Sequence, residues 1–382
     1  MVKDWWREWV VMGGRIALLH AFMDILGGGE YLMLQMAVAL RRVNYDLDLY
    51  TVTPPPWRDI ERIFGIRDPE KLFRRVHVHE ELNPFRFGRG RFVRLKRLLA
   101  YHGFFKMFNR ERLRDMYDLI VDTQSNTASP VDLAYIHYPV IAETYSKKTP
   151  LYDAYSVLVK LLYRLWFGKP MSRLIATNSS WTARIIKKYY GVEAHVLHPP
   201  VDTSAFQGRC GGPREKIIVT LSRLTPEKNI PAVSVVASML PGYRYIVMGR
   251  PDDRRVYEEL VGIPGLEVLT DLPREEVAGI LCRAKYYVHP PFREHFGIAV
   301  VEAMAAGLVP FVYYDSGSCT DIVSRVDSRL CYKDISEVPR MIKWIEEKGL
   351  WEELSVKAGR AAEMFSVERF YDRVARFFST LL

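Results

Sequence analysis

The span from Tyr286 to Tyr313 leaves the backbone few paths. Tyr286, Tyr287 and Val288 read as a strand. A short glycine turn at Gly297 then opens a helix, Gly307 fits the position just past its end, and Leu308 to Tyr313 reads as the next strand. Strand, helix and strand at this spacing form a crossover between parallel strands, and a parallel sheet needs both faces covered. The fold class is therefore α/β with a doubly wound sheet. The same turn sets two carboxylates, Glu294 before the helix and Glu302 one turn into it. A helix N-terminus offers unpaired N–H groups and partial positive charge, and Gly297 lets a ligand approach the backbone. A carboxylate accepts hydrogen bonds from vicinal hydroxyls. Taken singly, Glu294 is a solvated loop residue and Glu302 a cap-region acid. Taken together they suit a ligand with two polyol parts, such as a sugar joined to a ribose.

The same pattern recurs along the chain. Arg15 to His20 reads as a strand, Asp24 to Gly29 as a glycine loop, Glu30 to Arg42 as a helix and Asp46 to Val52 as a strand. Leu119 to Asp122, Asp132 to His137 and Leu174 to Thr177 continue the strands, and Ser179 to Tyr190 is a helix with Ser179 or Ser180 as N-cap. From His198 to Pro213 the composition turns to Pro, Gly and polar residues, which marks a boundary. A second series follows: strand Ile217 to Leu221, helix Asn229 to Met239, strand Tyr243 to Met248, helix Arg274 to Cys282, the span above, and helix Ile335 to Glu347. The expected domains are 1–200, 201–366 and a terminal amphipathic helix, 367–382, returning to the first domain. Two doubly wound domains in tandem should enclose a cleft at the carboxyl ends of their strands.

Three motifs lie at those ends. Gly27-Gly28-Gly29-Glu30 follows the first strand, where backbone N–H groups could cradle a diphosphate; a flexible turn is the plainer reading. Thr220-Leu221-Ser222-Arg223 to Lys228 follows the first strand of the second domain, and Arg223 and Lys228 should converge on phosphate oxygens. His137 ends a first-domain strand in Tyr135-Ile136-His137-Tyr138-Pro139, where it either holds a hydroxyl or shuttles a proton, or is a satisfied structural residue. In Asn178 to Thr182, helix capping is preferred to ligand contact.

Charge is uneven. Through Pro200 there are 30 Lys+Arg against 20 Asp+Glu, and after it 24 against 25. A basic first half attracts phosphate, anionic lipid or nucleic acid. The basic residues concentrate between Phe85 and Asp115, where Arg86, Arg89, Arg91, Arg94, Lys96, Arg97, Lys106, Arg110, Arg112 and Arg114 alternate with Phe87, Phe92, Leu95, Leu98, Leu99, Phe104, Phe105 and Phe108. Such a segment lies on an anionic bilayer, with Trp5, Trp6 and Trp9 as a further anchor; nucleic acid and a solvated helix face are the rival readings. No apolar run reaches membrane-spanning length and no signal peptide is evident, so the chain should face the cytosol. Cys210, Cys282, Cys319 and Cys331 show no metal-ligand spacing, which speaks against zinc and against a disulfide framework and suits a reducing compartment. Scarce Asn and Gln lean towards a thermophilic source.

With these residues in view, the chain resembles glycosyltransferase family 4, retaining enzymes of the GT-B fold with two Rossmann-like domains. The resemblance runs from about Arg15 to the terminal helix and rests on Glu294 to Glu302, Arg223 with Lys228, the Gly27 to Glu30 loop and His137. Within the family it looks most like the α-1,2-mannosyltransferases that extend lipid-linked oligosaccharide. It departs at Ser316-Gly317-Ser318, where Ser-Gly-Gly is usual, and in lacking the N-terminal membrane anchor, so attachment should be peripheral or absent. The resemblance implies that Glu302 holds ribose hydroxyls and Glu294 and His137 contact the donor sugar. It implies that Phe296, Gly297 and Ile298 offer backbone N–H groups, and that Arg223 and Lys228, with Ser222 beside them, neutralise the leaving diphosphate in place of a metal. Gly28 and Gly29 would lie near the diphosphate, and Gly249 and Arg250 near the base. The catalytic set would be His137, Arg223, Lys228 and Glu294. The implied donor is GDP-mannose and the acceptor a mannose hydroxyl on a polyprenyl-diphosphate glycan, with no cofactor, no metal and no nucleic acid as partner. A UDP-sugar with a soluble or other lipid acceptor is the alternative.

Overall fold

The computed structural model describes residues 13–85, 92–110, 113–142, 150–169 and 171–381. They form two compact units. The first comprises the described residues up to Asn178, then Thr182–Leu197 and the chain from Phe370; the second comprises Ser179–Trp181 and His198–Arg369.

In the first unit the elements run β1 (Gly14–Leu19), α1 (Gly28–Arg42), β2 (Tyr45–Thr51), α2 (Trp57–Phe64), β3 (Arg75–Val78), α3 (Val93–Arg110), β4 (Leu119–Asp122), β5 (Leu133–Ile136), α4 (Pro150–Phe167), β6 (Leu174–Thr177), α5 (Ser180–Tyr190) and β7 (His195–Val196). The strands are parallel in the order β3-β2-β1-β4-β5-β6-β7. β4 and β5 are buried along their whole length, as strands covered on both faces must be. Helix α1 starts in the glycine row because Glu30 reaches back to accept the N–H of Gly27 at 2.7 Å, one half of a capping box.

The second unit continues with β8 (Ile217–Leu221), α6 (Ser234–Met239), β9 (Arg244–Gly249), α7 (Arg254–Val261), β10 (Leu266–Thr270), α8 (Arg274–Arg283), β11 (Tyr286–Val288), α9 (Ile298–Ala305), β12 (Val309–Tyr313), β13 (Cys331–Tyr332), α10 (Val338–Lys348) and α11 (Trp351–Ala362). Its sheet is also parallel, in the order β10-β9-β8-β11-β12-β13. Gly307 sits left-handed, with φ +84°, just past the end of α9. The last helix, α12 (Val367–Ser379), contributes its part from Phe370 to the first unit. There Tyr371 donates its hydroxyl to Gln35 and lies under the guanidinium of Arg42.

Two expectations fail. Cys210–Cys282 and Cys319–Cys331 are disulfides; spacing along the chain does not show that Cys210 lies beside α8, or that Cys319 lies beside β13. The basic segment is also not a free amphipathic surface. Leu98, Phe104, Phe105 and Phe108 of α3 are buried in the first unit's core, because α3 turns its aromatics inward, Phe108 onto Tyr50, Phe104 onto His79 and Phe105 onto Phe167 of α4. Trp5, Trp6, Trp9, Arg86, Phe87, Arg89, Arg91 and Arg112 lie outside the described residues. Among the described residues, no helix is long and apolar enough to cross a membrane.

Candidate active site

In a doubly wound sheet the ligand crevice lies outside the carboxyl ends of the strands, where the strand order reverses. In the second unit that point falls between β8 and β11. The chain leaving β8 makes a short 3-10 turn, Pro226–Lys228, and Asn229 beyond it is left-handed. This turn delivers Lys228, whose Nζ lies 2.6 Å from Glu294 Oε2 and 4.3 Å from the Phe292 ring centre. The chain leaving β11 delivers His289, with Nε2 3.3 Å from the same Glu294 oxygen and Nδ1 3.0 Å from the Pro290 carbonyl. The other Glu294 oxygen accepts the backbone N–H of His295 at 3.1 Å. Burial pushes the Glu294 carboxyl up, but Lys228 and His289 more than offset it and hold it well below the usual carboxylate range.

Glu302, one turn into α9, has the opposite balance. Burial pushes its carboxyl up, and Arg274, 3.9 Å away, pulls it back only in part, with Asp202 working against that. A carboxyl with so little charge compensation gains from neutral donors such as paired hydroxyls.

Arg223 and Lys228 are not brought onto one partner. Arg223 Nη1 lies 3.5 Å from Asp252 Oδ2, and Arg250 Nε lies 2.6 Å from Asp252 Oδ1, so one acid ties both arginines. The ends of β8 and β9 approach so closely that a Cβ at Gly249 would run into the Ser222 carbonyl. Gly297 is left-handed at φ +109°, a conformation that favours glycine, and it starts α9. The first N–H groups of this helix, at Ile298 and the next residue, have no intrahelical acceptor. The Phe296 ring is buried against His198 and Phe365. Ser318, which departs from the family pattern, donates its hydroxyl to the Phe296 carbonyl at 2.7 Å, while Gly317 N–H donates to the Glu294 carbonyl at 2.7 Å. The 316–318 turn thus fixes the backbone carrying Glu294 and Gly297.

The reversal point of the first unit, between β1 and β4, holds a second polar cluster. His20 Nδ1 lies 2.9 Å from Thr123 Oγ1 and its Nε2 3.2 Å from Glu30 Oε1. Gln124 donates to the same Glu30 oxygen at 3.1 Å. Burial pushes the Glu30 carboxyl up, but His20 and the Gly27 N–H bring it down to about 2. His137 Nε2 is 3.1 Å from the Thr123 carbonyl, which can only accept, so Nε2 carries the proton. Burial lowers His137 to about 4, leaving a neutral ring whose Nδ1 is an acceptor. Gly29 lies close by: a Cβ there would sit 3.5 Å from His137 Nε2. Gly28 is the first residue of α1.

Sequence reasoning missed His20, Gln124, Asp252, Arg274 and His289. His20 and His289 were within reach, since each directly follows a strand, as His137 does.

Residues 211–363, within the second unit, match the family described as "Glycosyl transferases group 1". Among curated proteins the chain is 26% identical over 298 residues to the GDP-Man:Man(3)GlcNAc(2)-PP-Dol alpha-1,2-mannosyltransferase of Dictyostelium discoideum, covering 65% of this chain and 59% of that protein. It is 25% identical over 233 residues to the protein of the same name from Homo sapiens, covering 50% and 47%. The chain spans about half the length of the curated relatives it matches. Among solved structures, sucrose-phosphate synthase from Thermosynechococcus elongatus aligns over 96% of this chain and 98% of its own, with TM-score 0.68 and 15% identity. WaaG, a glycosyltransferase involved in lipopolysaccharide biosynthesis, aligns over 95% and 99%, with TM-score 0.64 and 15% identity. At these identities the structures speak for the fold. The chain thus has the GT-B architecture of two Rossmann-like units, and its second unit carries a group 1 glycosyl transferase domain.

Proposed function

We propose that the chain is a retaining glycosyltransferase that moves mannose from GDP-mannose to a mannose hydroxyl, in α-1,2 linkage, on a polyprenyl-diphosphate glycan at the cytosolic face of a membrane. The observation that carries this reading is the grouping of Lys228, His289 and Glu294 at the second unit's reversal point, with Glu302 one turn into the helix that starts there. The names of the curated relatives support the donor and the acceptor.

In this reading Glu302 accepts from the ribose hydroxyls and Glu294 from those of mannose. The N–H groups at Gly297 and Ile298 meet sugar or phosphate. Lys228, and Arg223 released from Asp252, balance the charge that grows on the β-phosphate as its bond to the sugar C1 breaks. The acceptor hydroxyl forms the new bond to C1 on the same face, and its proton passes to the departing phosphate. No side chain acts as nucleophile. Within the first unit, His137 is neutral with Nδ1 able to accept from a hydroxyl, and Gly28 and Gly29 offer backbone N–H groups to an anion. The two cations replace a metal, so chelation with EDTA should leave transfer unchanged. Calorimetric titration with GDP-mannose, UDP-glucose and UDP-N-acetylglucosamine tests the donor. Binding of GDP-mannose alone is expected, and preference for a UDP-sugar would refute the mannosyl reading.

A further inference from the structure

We propose that the outer face of α4, with the adjoining edge of α3, is the surface by which the protein lies on an anionic bilayer; this rests on the reading that the acceptor is lipid-linked. Helix α4 is apolar on two sides. Its inner side, Val159, Tyr163 and Phe167, is buried. Its outer side carries Val157, Leu158, Leu161 and Leu165 at helical spacing, each between 48% and 74% exposed. Neighbouring helix α3 adds Leu99, 50% exposed, and Phe92 just before it, 56% exposed. The two helices run side by side in the same direction: the Tyr155 hydroxyl accepts the Leu95 N–H at 3.1 Å, and further along His102 stacks on Trp166 at 4.2 Å. This register sets Leu99 level with Leu161, so the exposed apolar side chains form one strip.

The charge around the strip says what covers it. Described residues of α3 and α4 include Arg94, Lys96, Arg97, Lys106, Lys160 and Arg164 against one acid, Asp153. Lys160 and Arg164 border the strip along one side, where long side chains lay their stems along lipid and reach headgroups. A strip of aliphatic side chains edged by cations matches an interfacial helix on anionic lipid. The aromatic residues of α3 are core, so the apolar footing on lipid moves from that helix's aromatics to α4.

The test is co-sedimentation of the full chain with vesicles of mixed phosphatidylcholine and phosphatidylglycerol, and with phosphatidylcholine alone. Binding is expected to the mixed vesicles and to weaken with salt. The double variant Leu161→Asp with Leu165→Asp should lower partitioning about a hundredfold or more, since each leucine covered by lipid is worth about tenfold. Lys160→Glu with Arg164→Glu should abolish the preference for anionic vesicles. Unchanged thermal melting confirms folding, and Leu161→Ala with Leu165→Ala serves as the milder pair. If the variants bind as the parent does, the assignment to α4 is overturned while membrane attachment stands. If the parent binds no vesicle and sediments as a dimer that the variants dissociate, the strip covers a second copy and the proposal is wrong. Transfer to a short-chain acceptor in detergent, measured in parallel, tests the lipid-linked reading separately.

Discussion

Lys228→Met removes an ammonium 2.6 Å from Glu294 Oε2 while keeping an apolar stem on Phe292. Both side chains are largely buried, at 14% and 19% exposed, so solvent replaces little of the missing attraction. Opposite charges about 4 Å apart attract by about 4 kcal/mol at an effective dielectric near 20, and removing one partner of a buried pair costs about 3–5 kcal/mol. His289 still faces Glu294 at 3.3 Å, which places the cost near the lower end, about 3 kcal/mol. The effect should depend on pH. Glu294 is held below its ordinary range in the folded protein, so its contribution is full above the unfolded value, about 4.3, and is lost as pH falls through the folded value. The destabilisation by Lys228→Met should therefore be largest near neutrality and shrink in acid. The assay is urea unfolding of the full chain at neutral and acid pH. Hydrogen exchange in peptides spanning 286–305 assigns the transition. A double-mutant cycle with Glu294→Gln should give a coupling of about 2 kcal/mol. A coupling under about 0.5 kcal/mol, with no pH dependence, would refute a buried, mutually held pair.

Gly249→Ala places a Cβ against the Ser222 carbonyl and should cost about 3 kcal/mol, read in the same unfolding assay; a neutral result would show that the two strand ends can separate freely. Asp252→Asn frees Arg223 and Arg250 from a partly exposed acid, so GDP binding should tighten, by less than about fivefold given what exposed pairs are worth; weaker binding would mean that Asp252 helps hold the nucleotide. Cys210 and Cys282 are 72 residues apart, and reduction or Cys282→Ser should lower stability by up to about 4 kcal/mol, checked by melting with and without reductant; free-thiol labelling of the native chain at these cysteines would contradict the bridge. His137 is neutral in the fold down to about pH 4 but charges near 6.5 when unfolded, so it lowers stability as pH drops across that window, by on the order of 3 kcal/mol in all. An NMR titration showing His137 protonating near 6.5 would overturn its desolvated, neutral state.

Most of the fold was legible because both strand and helix periods are strong here. The strands Leu119–Asp122, Leu174–Thr177, Ile217–Leu221 and Tyr286–Val288 carry the residues that sequence alone assigns. The edge strands were missed: Arg75–Val78 is half-exposed and lacks an apolar run, and Cys331–Tyr332 has only two residues. Carboxylates and cations of the site were legible as types, since each lies in or just after the turn that follows a strand. Their pairing was not. Nothing in the order of residues says that Lys228 reaches Glu294 while Arg223 turns to Asp252. The aromatics of α3 misled for a related reason: a helix with apolar residues on every side can bury any of them, and only its packing against Tyr50, His79 and α4 decides which.

The most direct measurement is mannose transfer from GDP-mannose by the parent chain, Lys228→Ala and Glu302→Ala, with folding checked by melting. A drop of about a hundredfold or more is expected in each variant: Lys228→Ala removes a cation aimed at a developing charge, and Glu302→Ala removes the buried acceptor of two ribose hydroxyls, whose loss should appear mainly in KM. Near-normal turnover in both variants would contradict the placement of the donor at the end of β8 and the start of α9.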